Sequence, residues 1–385
     1  MYKIPLSVPL LNGNEWKYVK ECIDTEWVSS AGKFVDLFEK KITDFTGSKY
    51  AVACVNGTSA IHISLKLSGV KEGDEVIIPS LTFIAPVNAI KYLGADPIFM
   101  DSDNFYNIDA QKTIAFIDNE TVYKNGNSYN KKTKKRISAI IPVHVWGNAC
   151  NLENLVEKCK KRNIKIVEDA SESLGTFYNS GKHSGKHTGT IGEFGCISFN
   201  GNKIITTGGG GVILTNNKDL ADKAKYLTTQ AKDDPVNYIH NEIGYNFRLT
   251  NIQAALGVAQ LEQVEIFLKR KKEIYIRYSN FFNKINGLTI SKVPQYANNN
   301  YWISLLEIDR KKYGKSRCQV MSALEENGVQ TRPVWHLNHL QKPYLNCQSF
   351  NIEVAIRLVE SSLCMPSSSN LLNTDINQIF EIFYE

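Results

Sequence analysis

A chain of 385 residues with 43% hydrophobic and 22% charged residues has the composition of an ordinary globular protein, long enough for a large core and two domains. Its net charge of +6, from 45 basic and 39 acidic residues, is mild and suits an anionic small molecule. No basic stripe carries interleaved aromatics, which excludes nucleic acid as a partner. No leader is visible and no apolar run approaches the roughly 18 residues of a membrane span, so a cytoplasmic protein without membrane contact is expected.

In chain order, residues 4–13 read as extended. Asn14 opens a helix to about Thr25, with Trp16, Val19 and Ile23 on one face. Trp27–Gly32 is a turn, and a second amphipathic helix covers about Lys33–Thr46. Tyr50–Val55 is a short apolar strand, after which Asn56-Gly57-Thr58-Ser59 leads into a helix over Ala60–Leu67. Strand, glycine, hydroxyls and helix N-terminus together make an anion cradle, because backbone N–H groups and the helix dipole both favour negative charge there. An ordinary Ser/Thr cap is the alternative.

Glu75–Pro79, Pro97–Met100 and Ile137–Val143 are buried strands, and a helix follows Phe83 to about Leu93. Their alternation with helices predicts a mostly parallel sheet. Between them Thr121–Arg136 is lysine-rich around Asn125-Gly126, a hairpin signal. The eight cysteines are scattered without a C-x-x-C pair, and His183 and His187 have no acid or cysteine close by, so no metal site is expected.

Ile164–Gly175 reads as a buried strand ending on the acid pair Glu168-Asp169. In open α/β sheets ligands sit beyond the carboxyl ends of strands, which places Asp169 to meet one; a helix N-cap is its other reading. Residues 194–214 hold an apolar run to Ser198-Phe199, a polar loop with one lysine, Lys203, the turn Gly208–Gly211 and a second apolar run. Burial favours a neutral amine, the form that condenses with an aldehyde. Alone, the stretch reads sooner as a surface lysine beside a glycine turn. No Gly-Lys-Ser/Thr follows the glycines, which argues against a P-loop. Pyridoxal phosphate (PLP) enzymes need a lysine for the aldehyde and a carboxylate for the pyridine nitrogen, roles that Lys203 and Asp169 could fill.

Lys218–Leu227 is a further helix, and Gly244–Arg248 precedes a long one over about Thr250–Phe281. The expected division is a large PLP-binding domain over 1–250, a long connecting helix over 251–282 and a small C-terminal domain over 283–385.

Seven ordered motifs carry a resemblance over nearly the whole length: Trp27–Gly32, Asn56–Ala60, Pro79–Ala85, Pro142–Gly147, Glu168–Ala170, Ser198–Gly208 and Tyr245–Arg248. The chain resembles the DegT/DnrJ/EryC1/StrS family of PLP-dependent sugar aminotransferases. That resemblance implies an α/β chain of type I aminotransferase fold. A mostly parallel central sheet would carry helices on both faces, beside a smaller C-terminal α+β domain. It implies Lys203 and Asp169 as catalytic residues, with Gly57, Thr58 and Ser198 on the cofactor phosphate, Phe83 stacked on the ring and Glu172 also at the cofactor. Asn246 would reach the cofactor of a neighbouring subunit, which makes the active site that of a homodimer. Trp27, Ser29, His144, Arg248, Arg332, His336 and His339 are the implied substrate residues.

The reaction implied is amino transfer from glutamate to a nucleotide-linked 4-keto-6-deoxy sugar. A UDP-linked 2-acetamido-2,6-dideoxy-4-ketohexose is the best single guess, because the 121–136 insertion is similar to that of the legionaminic-acid branch. The chain departs from many relatives at Gly209, where they carry glutamate, and at Glu172, where glutamine or histidine is common. Amination at C3 and a catalytically silent partner protein are the competing readings. A PLP-dependent sugar dehydratase is disfavoured, because such relatives carry histidine where this chain has Lys203.

Overall fold

The computed structural model describes residues 2–384. Its main sheet runs Tyr50–Cys54, Gly211–Thr215, Phe194–Ser198, Lys165–Asp169, Arg136–Ile140, Glu75–Pro79, Asp96–Met100 and Ser349–Phe350 from edge to edge. From Phe194–Ser198 onward every neighbouring pair is parallel, while Gly211–Thr215 pairs antiparallel on both sides. The expected mostly parallel sheet is therefore present.

Strand alternation explains why both faces are covered. Val76, Ile78, Phe99, Ala139 and Val167 point into one apolar cluster, with Ala60, Ile61 and Ile63 of the helix Gly57–Leu67 and Val87 and Ile90 of Ile84–Tyr92. Ile77, Ile98, Met100, Ile140 and Ile166 point the other way, onto Phe116 and Ile117 of Ala110–Asn119 and Leu155 and Cys159 of Glu153–Lys161. Cys22, Cys54, Cys150, Cys159, Cys196 and Cys364 are buried, unpaired thiols.

A second sheet, Leu288–Ile290, Leu305–Ile308, Ser362–Cys364 and Arg332–Pro333, is antiparallel throughout. It shares a separate core with the helices Val264–Phe282, Arg317–Glu326 and Asn373–Glu381. The chain crosses between the two bodies. Ile4 is buried in the second core, and Ser349–Phe350 returns to the edge of the main sheet.

Three local expectations are corrected. The helix over Thr250–Phe281 is two helices, Asn251–Leu261 and Val264–Phe282, broken at Glu262-Gln263. The helix expected from Ala60 begins at Gly57, because the Asn56 side chain accepts from Ser59 N–H (2.8 Å) and caps it three residues earlier. In the helix Glu15–Asp24 the core side carries Glu15 and Cys22, while Trp16 is 74% exposed and Ile23 54%. The Thr121–Lys124/Asn127–Asn130 hairpin forms around Asn125-Gly126 as expected. No helix among the described residues is long and apolar enough to cross a membrane.

The helix Asn251–Leu261 packs flush on Lys33–Thr46 through Gly257, where a Cβ would lie 2.5 Å from Phe38 Cε2 and 2.7 Å from Thr207 Cγ2. Alanine is the better helix former by about 1 kcal/mol. The Phe38 ring is fully buried and has nowhere to move, so overpacking wins. Gly257→Ala should destabilise the protein by about 1–3 kcal/mol, read as a lower urea midpoint at unchanged slope.

Candidate active site

The carboxyl ends of Tyr50–Cys54, Lys165–Asp169 and Phe194–Ser198 converge on one cavity of about 610 Å³. Each strand delivers polar groups to it. Asn56, Gly57 and Thr58 follow the first, Asp169, Ser171 and Glu172 the second, and Ser198, Asn200, Asn202 and Lys203 the third. At the open N-terminus of Gly57–Leu67, a Cβ on residue 57 would lie 2.9 Å from Ser198 Cβ and 3.2 Å from Ser171 Oγ. Glycine therefore keeps free the space between the helix end and the two serines, as an anion cradle requires.

Glu168 and Asp169 end one strand and face opposite ways, as alternation demands. Asp169 lines the cavity, and its Oδ1 accepts from Ser171 N–H at 3.0 Å. Burial pushes its carboxyl above the ordinary range, against the pull of Ser171 and Lys203. Glu168 points away and accepts from Gly189, Ile191 and Gly192 N–H and from His144 Nε2 (2.6 to 2.9 Å). Burial alone would raise it, but His144 and those backbone donors hold it below the usual range.

Lys203 lies in the loop between Phe194–Ser198 and Gly211–Thr215. Its Nζ is 3.6 Å from Glu172 Oε1 and 4.0 Å from the centroid of the Trp302 ring. Glu172 Oε2 accepts from Trp146 N–H at 2.8 Å. Trp146 holds φ 58, a left-handed conformation rare for a bulky residue, and Gly147 follows at φ 86. The Trp146 ring stacks on Trp335 at 4.0 Å and 14° and lies 5.7 Å from Trp302, with Phe83 6.0 Å beyond Trp335. One wall of the cavity is thus a run of aromatic faces. Asn202 Oδ1 and Trp146 Nε1 are buried at this site without a protein partner, which suits polar contents.

Of the expected residues, Gly57, Thr58, Phe83, Asp169, Glu172, Ser198, Lys203, Arg332 and His336 line the cavity. Six others do not. Trp27 borders a separate groove beside Cys22 and Lys33, and the carbonyls of Trp27 and Ser29 accept from Asn251. Asn246 and Arg248 bond to each other, Arg248 Nε donating to Asn246 Oδ1 at 3.1 Å. His144 is fully buried; its Nδ1 accepts from Cys150 N–H, so the proton sits on Nε2 and goes to Glu168. His339 packs below the cavity, its Nδ1 2.6 Å from Ser80 Oγ. Neither His144 nor His339 lines this cavity. Sequence reasoning missed Trp302, Asn200 and Asn202; the polar run Asn298-Asn299-Asn300 before Tyr301-Trp302 was the available signal for the first.

Burial pushes the Glu172 carboxyl up to about 7, opposed by Lys203 and Trp146 N–H. An unfolded glutamate titrates near about 4.3. Between those values the native state binds more protons than the unfolded chain, so stability is present at low pH and is lost as pH rises through the window. Glu172→Gln keeps the acceptor for Trp146 N–H and removes the titration. Denaturant midpoints of the apoprotein should shift in favour of Glu172→Gln between about pH 5 and about pH 8.

Comparison with known proteins agrees with this architecture. The family model of the DegT/DnrJ/EryC1/StrS aminotransferase family matches residues 9–384. The GDP-perosamine synthase of Caulobacter vibrioides is 37% identical over 379 residues, covering 98% of this chain and 96% of that protein. The GDP-perosamine synthase of Escherichia coli O157:H7 is 37% identical over 100% of this chain and 99% of its own length. A putative pyridoxal phosphate-dependent aminotransferase of Bacillus subtilis, EpsN, is 35% identical over 99% and 95%. Among solved structures, the aminotransferase TlmJ of Streptoalloteichus hindustanus superposes with a TM-score of 0.86 at 25% identity, over 98% of this chain and 97% of that one. A Brucella abortus family member gives 0.86 at 24% identity over 96% and 94%, a likeness of fold. The chain belongs to the DegT/DnrJ/EryC1/StrS aminotransferase family, with its type I fold, and is a PLP-dependent sugar aminotransferase.

Proposed function

We propose that this enzyme moves an amino group from glutamate to C4 of a nucleotide-linked 4-keto-6-deoxyhexose. The observation that carries the reading is one cavity holding Lys203, Asp169 and the open helix end at Gly57 together. The donor set suits PLP. Gly57, Thr58 and Ser198 would hold the phosphate, Phe83 would cover the ring, and Asp169 and Glu172 would sit at its polar edge. When bound, PLP supplies an electron sink that lets the donor's α-carbon give up a proton. Asp169 would hold a proton at the pyridine nitrogen. Lys203 Nζ would take the donor's proton and pass it to the cofactor's C4′ carbon, and would run the same transfer in reverse onto sugar C4. Arg332 and His336 line the remaining space and would contact the sugar nucleotide.

For the nucleotide, we propose guanosine diphosphate in place of the UDP expected above. Two relatives at 37% identity over nearly full length are GDP-perosamine synthases. The protein, incubated with PLP, glutamate and GDP- or UDP-linked 4-keto-6-deoxyhexoses, should aminate the GDP sugar with higher kcat/KM. The amino position is read by NMR. Lys203→Ala should lose both the visible PLP band and turnover; a variant that keeps turnover would sink the assignment. Asp169→Ala should cost roughly 10²–10³ in kcat.

We further propose a homodimer with shared sites, each chain divided into a large domain over 1–250, a connecting segment of two helices over 251–282 and a small domain over 283–385. Trp16, Ile23, Trp27, Val28, Val236, Tyr238 and Ile243 leave much apolar surface exposed, the kind of surface a second copy covers. Asn246 lies outside its own chain's cavity, as a residue serving the neighbour's site would. Lys203→Ala and Asn246→Ala homodimers should both be impaired. Mixed after co-refolding they should regain activity, since one site per heterodimer then has both residues intact; no recovery on mixing would refute sharing.

A further inference from the structure

The helix Val264–Phe282 buries a lysine that has no acid for company. Lys271 is 3% exposed, and its Nζ donates to the carbonyl oxygens of Trp302 (3.0 Å) and Ser367 (2.5 Å). Burial, unopposed by any carboxylate, pushes its ammonium down to about 7. A neutral amine has two N–H donors and an ammonium three, so two carbonyls can be served in either protonation state. A buried lysine is costly, and leucine or methionine would pack there without charge. The two carbonyls explain its presence.

Both carbonyls belong to segments that wall the active site. Trp302 stands in irregular backbone between Ala297–Asn298 and Leu305–Ile308, after Tyr301 at φ 53, so its carbonyl has no strand partner. Its N–H donates to Asn300 Oδ1 (3.0 Å) and its Nε1 to the Asn202 carbonyl (2.7 Å), beside Lys203. Ser367 donates its N–H to the carbonyl of Leu6, which also lines the cavity, and its Oγ accepts from Ser304 N–H. One amine therefore ties the segment carrying Trp302 to the segment carrying Ser367, and Trp302 faces Lys203 Nζ at 4.0 Å.

We propose that Lys271 is a positioning residue, which by holding the carbonyls of Trp302 and Ser367 keeps the Trp302 ring against Lys203 and so fixes where that amine stands. This rests on Lys203 as the reactive amine, which Lys203→Ala tests separately. The experiment needs no cofactor. The apoprotein is treated with trinitrobenzenesulfonate, and the modification rate of Lys203 is read by peptide mass spectrometry, with exposed Lys20 as internal control.

Lys271→Met, similar in length and without donors, should raise the Lys203 rate about three-fold or more, the scale of one lost cation–π contact. Trp302→Leu should do likewise. The double variant should be no faster than the faster single, because one residue acts through the other. A folded Lys271→Met with an unchanged Lys203 rate overturns the proposal, and so do two single effects that multiply in the double. If Lys271→Met fails to fold by circular dichroism, Lys271→Leu, which also lacks donors, decides by the same comparison.

Discussion

The site depends on one amine held between an acid and an indole. Lys203 Nζ has Glu172 Oε1 at 3.6 Å and the Trp302 ring at 4.0 Å, in a cavity whose other wall is aromatic. Held this way, the amine is confined in a largely apolar space yet keeps a defined direction. The surrounding structure serves that placement. Glu172 accepts from Trp146 N–H, which keeps Trp146 in its left-handed conformation and aims its ring along the wall. An acid at this position thus meets both Lys203 and the backbone that carries the aromatic face.

Below the cavity a second carboxylate does different work. Glu168 is one residue from Asp169, and strand alternation turns it to the opposite side. There it gathers three backbone N–H groups and the His144 Nε2–H, pinning the loop 189–192 and the turn after Ile141. His144 N–H donates in turn to the Asp169 carbonyl. The neighbouring pair therefore divides into a residue that faces the cofactor space and one that fixes the frame around it.

The two bodies of the chain meet at this site as well. Trp302, Arg332, Pro333, Trp335 and His336 come from the C-terminal part, while the cradle, the acids and Lys203 come from the strands of the main sheet. Asn338 Nδ2 ties the C-terminal loop back by donating to the carbonyls of Ser80 and Thr82. A single apolar cluster contains Val167 and Phe199 together with Leu305, Val334 and Leu337, so the walls supplied by the main sheet and by the C-terminal part share one packed interior.

What could be read from the order of residues was whatever local chemistry dictates. Asn125-Gly126 marks a hairpin through residue type alone, whereas Asp169 at a strand end, Gly57 between strand and helix and the lone Lys203 between apolar runs each kept a plain structural reading until the seven motifs were taken together. Position relative to distant residues was decided only by folding. His144 and Phe83 sit in equally plain motifs, but one is enclosed by Glu168 and Cys150 while the other opens into the cavity at 52% exposure. Trp16 and Ile23 share a helical face whose outward turn is set by Cys22 packing beneath Asn251. Lys271 looks like any helix lysine until Trp302 and Ser367, 31 and 96 residues onward, bring carbonyls to it. Periodicity fixes which side chains share a face of an element, whereas which face meets water and which meets a partner follows from contacts across the chain that no local pattern encodes.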